Sequence, residues 1–283
     1  MQSLFQELGL SVFSVCLQTS IGMMVFLFIF ERFNNFKSKN FVLTALCIAV
    51  FGVLSSFVHL GNPMNAYLTM NNLSSSWLSR EIFIVSLYTA ALFSYFFTRF
   101  IKEYFNPSFD ILGFAVTVVG LATLYVMSEA YISTSVPFWD SVNTYFEYYL
   151  SAAMLGAMFF YAVMYKQLGA TKFYNFSVVI LLSVGLLVIS YVFHGLGLSH
   201  GSVAARQSEA ILFSYSWLMA IVWLLGGLSM CLFFFSGINL KRENAASLPV
   251  NLFIVAAALL FFAAILAKLI FYVAMVTTSV GLQ

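Results

Sequence analysis

Charge is scarce in this chain: Asp, Glu, Lys and Arg make up 8% of the 283 residues, where a soluble domain carries about 25%. Hydrophobic residues reach 62% and the mean hydropathy is +0.98. A chain of this size with so few charges cannot cover a water-facing surface, so its outer solvent must be lipid. Cysteine and histidine are equally thin, with three of each. Cys16, Cys47 and Cys231 stand apart, each inside an apolar run, which argues against a disulfide pair, a CxxC redox site or a zinc cluster. Twelve basic against ten acidic residues leave a net charge of +2 and no basic run dense enough to follow a phosphate backbone. Nucleic-acid modules, collagen, disordered tails and disulfide scaffolds are thereby set aside. Phosphate-binding glycine loops, metalloprotease spacing and nucleophile elbows are also absent.

What the sequence does have is long apolar runs. A hydrocarbon core about 30 Å thick takes roughly 20 helical residues to cross, and eight stretches qualify: approximately 10–30, 41–60, 82–101, 111–132, 145–165, 173–198, 211–235 and 250–277. Backbone polar groups in lipid must be satisfied within the protein. Continuous rather than alternating apolarity argues against a β-barrel. The expected fold is therefore all-α, a polytopic bundle of eight transmembrane helices forming a single integral-membrane domain over residues 1–283. Gly61 and Pro63 end helix 2, Ser79 stands where the N-cap of helix 3 is expected, Asn106 and Pro107 separate helices 3 and 4, and Pro249 is placed to start helix 8. Phe and Tyr are read as lipid-facing packing and interfacial belt.

The connectors after helices 1, 3, 5 and 7, with adjoining helix ends, hold Arg32, Lys37, Lys39, Arg99, Lys102, Lys166, Lys172, Lys241 and Arg242, whereas the other face holds Arg80 and Arg206. The positive-inside rule then places both termini outside the cytoplasm. Glu7 precedes helix 1 with no Lys or Arg before it, which suits a cleaved signal peptide poorly.

Ionisable groups inside membrane segments are costly and therefore informative. His59 near the outer end of helix 2 and Glu81 at the start of helix 3 return to one membrane depth through the connector between two antiparallel helices. A histidine and a carboxylate at the mouth of an apolar cleft suit a two-proton, two-electron carrier such as a quinol: the imidazole hydrogen-bonds a ring oxygen and the carboxylate accepts a released proton. Glu81 is expected in the first turn of helix 3, where the helix dipole favours its charged form. Arg80 pairs with Glu81 or with lipid phosphate and joins them as a candidate cofactor-binding residue. Glu129 and Glu147 read as solvated loop-edge residues, and Lys268 as a lysine that snorkels to the outer interface or contacts a bound headgroup. Two alternatives stand beside this reading. His59 and His194 can ligate one b-type haem, and a small-solute transporter would show midplane polar groups and interrupted helices, neither of which is evident.

The stretch His59-Leu60-Gly61-Asn62-Pro63-Met64-Asn65-Ala66-Tyr67, followed by Asn71, Leu78-Ser79 and Glu81-Ile82, resembles the helix 2 to helix 3 connector of the dimethyl sulfoxide reductase membrane-anchor (DmsC) family. Length, helix number and outward termini are similar too, so the resemblance covers essentially the whole sequence. It implies a multi-pass anchor in a bacterial inner membrane that carries no haem or metal and is not catalytic by itself. The anchor would supply the quinol-oxidation site for an iron–sulfur electron-transfer subunit and a molybdopterin catalytic subunit in anaerobic respiration. Menaquinol is the implied bound substrate, with His59 and Glu81 matching the family's quinol-site histidine and glutamate. The last helix departs from the family pattern: Ala264 and Ala267-Lys268 precede Phe271-Tyr272, where the family usually carries a glutamate and a glycine-arginine pair.

Overall fold

The structure, a computed structural model, describes residues 2–33, 39–59, 72–101, 111–242 and 251–278. Within those ranges, the side chains of residues 2–6, 32, 33, 58, 59, 170, 241, 242 and 251 lie outside the description. The described residues are helical almost throughout: α1 Gln2–Phe33, α2 Lys39–His59, α3 Trp77–Phe100, α4 Ile111–Ile132, α5 Val142–Ser199, α6 Val203–Ser214, α7 Ser216–Arg242 and α8 Asn251–Val273.

Among the described residues, eight segments are long and apolar enough to cross a membrane, and they correspond to the eight expected from the sequence. Two come from α5, spanning Val142–Gly169 and Thr171–Ser199. Gly169 interrupts α5 with φ 61° and ψ −177°, a backbone state open essentially to glycine alone. Its carbonyl accepts a hydrogen bond from the Tyr161 hydroxyl at 3.1 Å. The two halves then run antiparallel, since Ser190 near the end of the second donates to Asn143 at the start of the first. Large apolar side chains such as Phe193 and Leu224 remain exposed at 71% and 72%, as a surface solvated by hydrocarbon requires.

Three local readings need correction. Ser76, not Ser79, caps α3: its hydroxyl accepts from Ser79 N, so the helix begins at Trp77, about one turn early. The seventh span starts at Ser216 instead of residue 211, because α6 is a separate short helix closed at Tyr215. The aromatic residues are also not confined to the lipid face. Tyr88, Tyr95, Tyr148, Tyr161 and Tyr272 are fully buried, as are Phe160, Phe233 and Phe253. The Tyr161 ring meets those of Phe173, Phe233 and Phe253 at 5.6, 5.6 and 5.2 Å, tying both halves of α5 to α7 and α8. The helix boundaries expected at Gly61, Pro63, Asn106, Pro107 and Pro249 lie outside the described residues.

Small residues let α1 and α5 approach closely. A Cβ on Gly22 of α1 would collide with the Ala152 carbonyl of α5 and stand 2.9 Å from Gly156 Cα. Ala152 and Gly156 are one turn apart, the small-xxx-small spacing by which membrane helices pack backbone to backbone.

Arg99, which the sequence suggests as a loop-side charge, is instead buried. Its guanidinium donates to both Glu31 oxygens, at 2.8 and 2.7 Å, and joins the end of α1 to the end of α3. Glu31→Ala is expected to lower stability in detergent by about 1–3 kcal/mol, the loss of charge-assisted hydrogen bonds at a site Glu31 leaves partly open to solvent. Thermal unfolding of the purified protein checks this; an unchanged midpoint would show the pair to be energetically idle.

Candidate functional site

Polar side chains gather at the end of the bundle where α1, α3 and α5 begin and α4 and α8 end. Lys268, deep in the apolar run of α8, is only 1% exposed. Its ammonium donates to both oxygens of Glu147 on α5, at 2.9 and 2.8 Å, and sits 3.5 Å from the centre of the Tyr148 ring and 4.3 Å from that of Phe271. One turn further along α8, the Tyr272 hydroxyl shares a 2.6 Å hydrogen bond with Ser14 of α1 and lies 3.4 Å from the Tyr148 hydroxyl. Tyr131 of α4 packs on Tyr148 and Tyr272 at 6.2 and 5.3 Å. Trp139, in the α4–α5 turn, donates from its indole to the Phe271 carbonyl at 2.9 Å. This pins the turn over the end of α8.

Lys268 therefore does not snorkel and Glu147 is not solvated. Glu147 lies on the inward face of α5, and each charge is held inside because the other supplies its partner. Glu129 is half-buried and accepts a hydrogen bond from Tyr145, so it too is more enclosed than a loop edge.

Glu81 belongs to the same cluster. It is 4% exposed and lies two turns before Tyr88 on the same face of α3, and the Tyr88 hydroxyl shares a 2.8 Å hydrogen bond with Ser20 of α1, which brings Glu81 to about the level of Ser14. Among the described residues, Glu81 Oε1 has no hydrogen-bond partner. With α3 starting at Trp77, Glu81 falls in the second turn, beyond the reach of the helix-dipole argument, which fades after the first. Its environment is set by the cluster instead.

Arg80, on the neighbouring face, is committed locally. It donates to the carbonyls of Leu73 and Ser74 at 2.9 and 2.6 Å and lies 4.3 Å over the Trp77 ring. Adjacent residues on a helix do not face each other, and no ion pair joins Arg80 to Glu81 among the described residues. His59 is the last residue of α2, and its side chain lies outside the described residues.

His194 donates from Nε2 to the Phe138 carbonyl at 3.0 Å, which commits that nitrogen. Beside it, a cleft of about 740 Å³ opens between the second half of α5, α6, α7 and α8, with Tyr191, Glu209, Trp223 and Phe271 on its walls. Phe271 forms part of the boundary between this apolar cleft and Lys268. Among the described residues no three His, Cys, Asp or Glu side chains gather as metal ligands.

Sequence reading misses Gln18 as well as the Glu147–Lys268 partnership. Gln18 is 1% exposed, one turn along α1 from Ser14, and its Nε2 has no partner among the described residues. The available signal is an amide and a lysine inside otherwise apolar runs, each one turn from the Ser14–Tyr272 contact.

Fold and site together define a multi-pass helical membrane protein with a buried, partly unsatisfied polar cluster in one half of the bundle. The family described as DMSO reductase anchor subunit (DmsC) matches residues 1–274, and the protein belongs to it. It is similar to the C subunit of the anaerobic dimethyl sulfoxide reductase of Haemophilus influenzae, 25% identical over 210 residues that cover 72% of this sequence and 75% of that subunit. It is also similar to the corresponding C subunit of Escherichia coli K12, 28% identical over 64% of each. A further relative is YnfH, an anaerobic dimethyl sulfoxide reductase subunit of E. coli K12, 22% identical over 61% of this sequence and 60% of that one.

Proposed function

We propose that this protein is the menaquinol-oxidising anchor of a bacterial inner-membrane reductase acting on dimethyl sulfoxide or a related S- or N-oxide. In this reading both termini lie outside the cytoplasm. Menaquinol enters from the bilayer, His59 positions one ring oxygen, Glu81 accepts the proton of one quinol hydroxyl, and the proton of the other is released to water on the outer side, so that menaquinone leaves. The electrons pass to an iron–sulfur subunit and from there to a molybdopterin catalytic subunit. The observation that carries the reading is Glu81 itself, a buried carboxyl with an unpartnered oxygen in a membrane span. A buried acceptor left unsatisfied is costly, and such groups inside a bilayer mark proton and substrate pathways. Membership of the DMSO reductase anchor family supports the partners and the class of final acceptor.

The test compares two electron donors in membranes carrying the assembled complex. His59→Ala and Glu81→Gln are each expected to stop menaquinol-dependent reduction while reduction driven by an artificial dye, which bypasses the anchor, continues. Menaquinol oxidation at the parental rate in both variants would overturn the assignment.

A further inference from the structure

A buried ion pair needs a reason beyond stability, because a well-packed apolar pair in its place usually serves the fold as well or better. The Glu147–Lys268 pair has surroundings that supply one. Two of the three ammonium donors go to Glu147, and the Tyr148 and Phe271 rings fix the nitrogen's position. The same end of the bundle is lined by Tyr272 of α8, Ser14 of α1 and Tyr131 of α4, and by Glu81 of α3, which lies two turns before Tyr88 on one helix face; the Tyr88 hydroxyl shares a 2.8 Å hydrogen bond with Ser20 of α1, which sets Glu81 near the level of Ser14. Because α1 and α8 run antiparallel and touch at Ser14 and Tyr272, one turn deeper on each brings Gln18 and Lys268 to the same level.

We infer that Lys268 is a positioning residue for quinol oxidation: its ammonium, tethered by Glu147 and Tyr148, is the stationary positive charge against which Glu81 gives up and regains its proton. This rests on the quinol reading above. A carboxyl that cycles a proton in a water-poor interior must pass through an ionised form whose desolvation is expensive. A nearby fixed cation lowers that cost. A lysine paired directly with Glu81 would instead hold it permanently as the anion. Held one partner away by Glu147, Lys268 biases Glu81 without capturing it, and among the described residues no protein group occupies the oxygen that must meet the substrate.

The experiment uses variants that avoid stranding a charge. Lys268→Gln combined with Glu147→Gln keeps a hydrogen-bonded pair without charge, and Lys268→Glu combined with Glu147→Lys keeps the pair but moves the cation to α5. Both are compared with Lys268→Arg and Glu81→Gln in membranes carrying the complete complex, with dye-driven activity reporting assembly. In whichever pair variant assembles, kcat with menaquinol is expected to fall about tenfold or more with KM changed by less than about twofold, the signature of an interaction made in the chemical step rather than in binding. Lys268→Arg, which retains the charge on α8, is expected to recover most of that loss. A parental kcat in the assembled neutral or swapped pair, or a loss confined to KM, would overturn the role of Lys268. If Glu81→Gln oxidises menaquinol normally, it is the quinol reading that fails. If Glu81→Gln is inactive while the neutral pair is fully active, only the inference about Lys268 fails.

Discussion

Glu81→Gln is expected to lower menaquinol-dependent turnover by about 10²–10⁴-fold, the usual contribution of a positioned proton acceptor. The substitution nearly preserves shape, so it removes the ability to take a proton and little else. Because Oε1 makes no hydrogen bond within the described residues, no existing bond is broken at that atom. Complex content and dye-driven reduction should therefore stay at the parental level. Glu81→Asp retains the carboxyl but draws it back by one methylene, and its turnover is expected between those of the parent and Glu81→Gln, since small misplacements of reacting groups are costly. The measurement is kcat with reduced menaquinone at saturation for all three proteins. Equal values for parent and Glu81→Gln would remove Glu81 from the chemistry.

The sequence makes the spans legible and the interior largely illegible, for a physical reason. Crossing a hydrocarbon layer takes about 20 apolar residues in a row, a property of contiguous sequence, and all eight segments can be read from it. Pairing inside the bundle is a property of register between helices distant in the sequence. Glu147 and Lys268 are 121 residues apart. Glu147 lies near the start of its helix, where a carboxylate is ordinarily wet, and Lys268 near the end of its own, where a lysine ordinarily reaches the interface. Only the antiparallel placement of α5 and α8 brings one to the other.

Arg99 shows the same limit. Counted with its neighbours it looks like a cytoplasm-facing loop charge, but it is spent on Glu31 within the bundle. Glu81 is legible because a carboxyl at the start of an apolar run is conspicuous and because the His59–Glu81 connector resembles a known one. Its actual setting differs from the expected one by a helical turn, since Ser76 and Ser79 are both competent caps and α3 uses the earlier. His59 is singled out by the same connector, and its side chain lies outside the described residues.

Glu147→Ala should be the most damaging single substitution to the fold. It leaves the Lys268 ammonium 1% exposed with both of its carboxylate hydrogen bonds gone. Stranding a buried charge in this way costs about 3–5 kcal/mol. The Tyr148 and Phe271 rings offset only part of this, since a cation–π contact contributes about 0.5–2 kcal/mol. The expected result is a steep fall in complex retained in membranes and in the thermal midpoint of the detergent-solubilised protein. Lys268→Gln with Glu147→Gln carries no stranded charge and should unfold close to the parent. The two variants thus separate what the pair does for the fold from what it does for turnover: the single change loses both, the neutral pair only turnover. A midpoint for Glu147→Ala equal to that of the parent would mean that water reaches Lys268 in the membrane, and a hydrated ammonium could not act as the fixed charge that Glu81 is proposed to use.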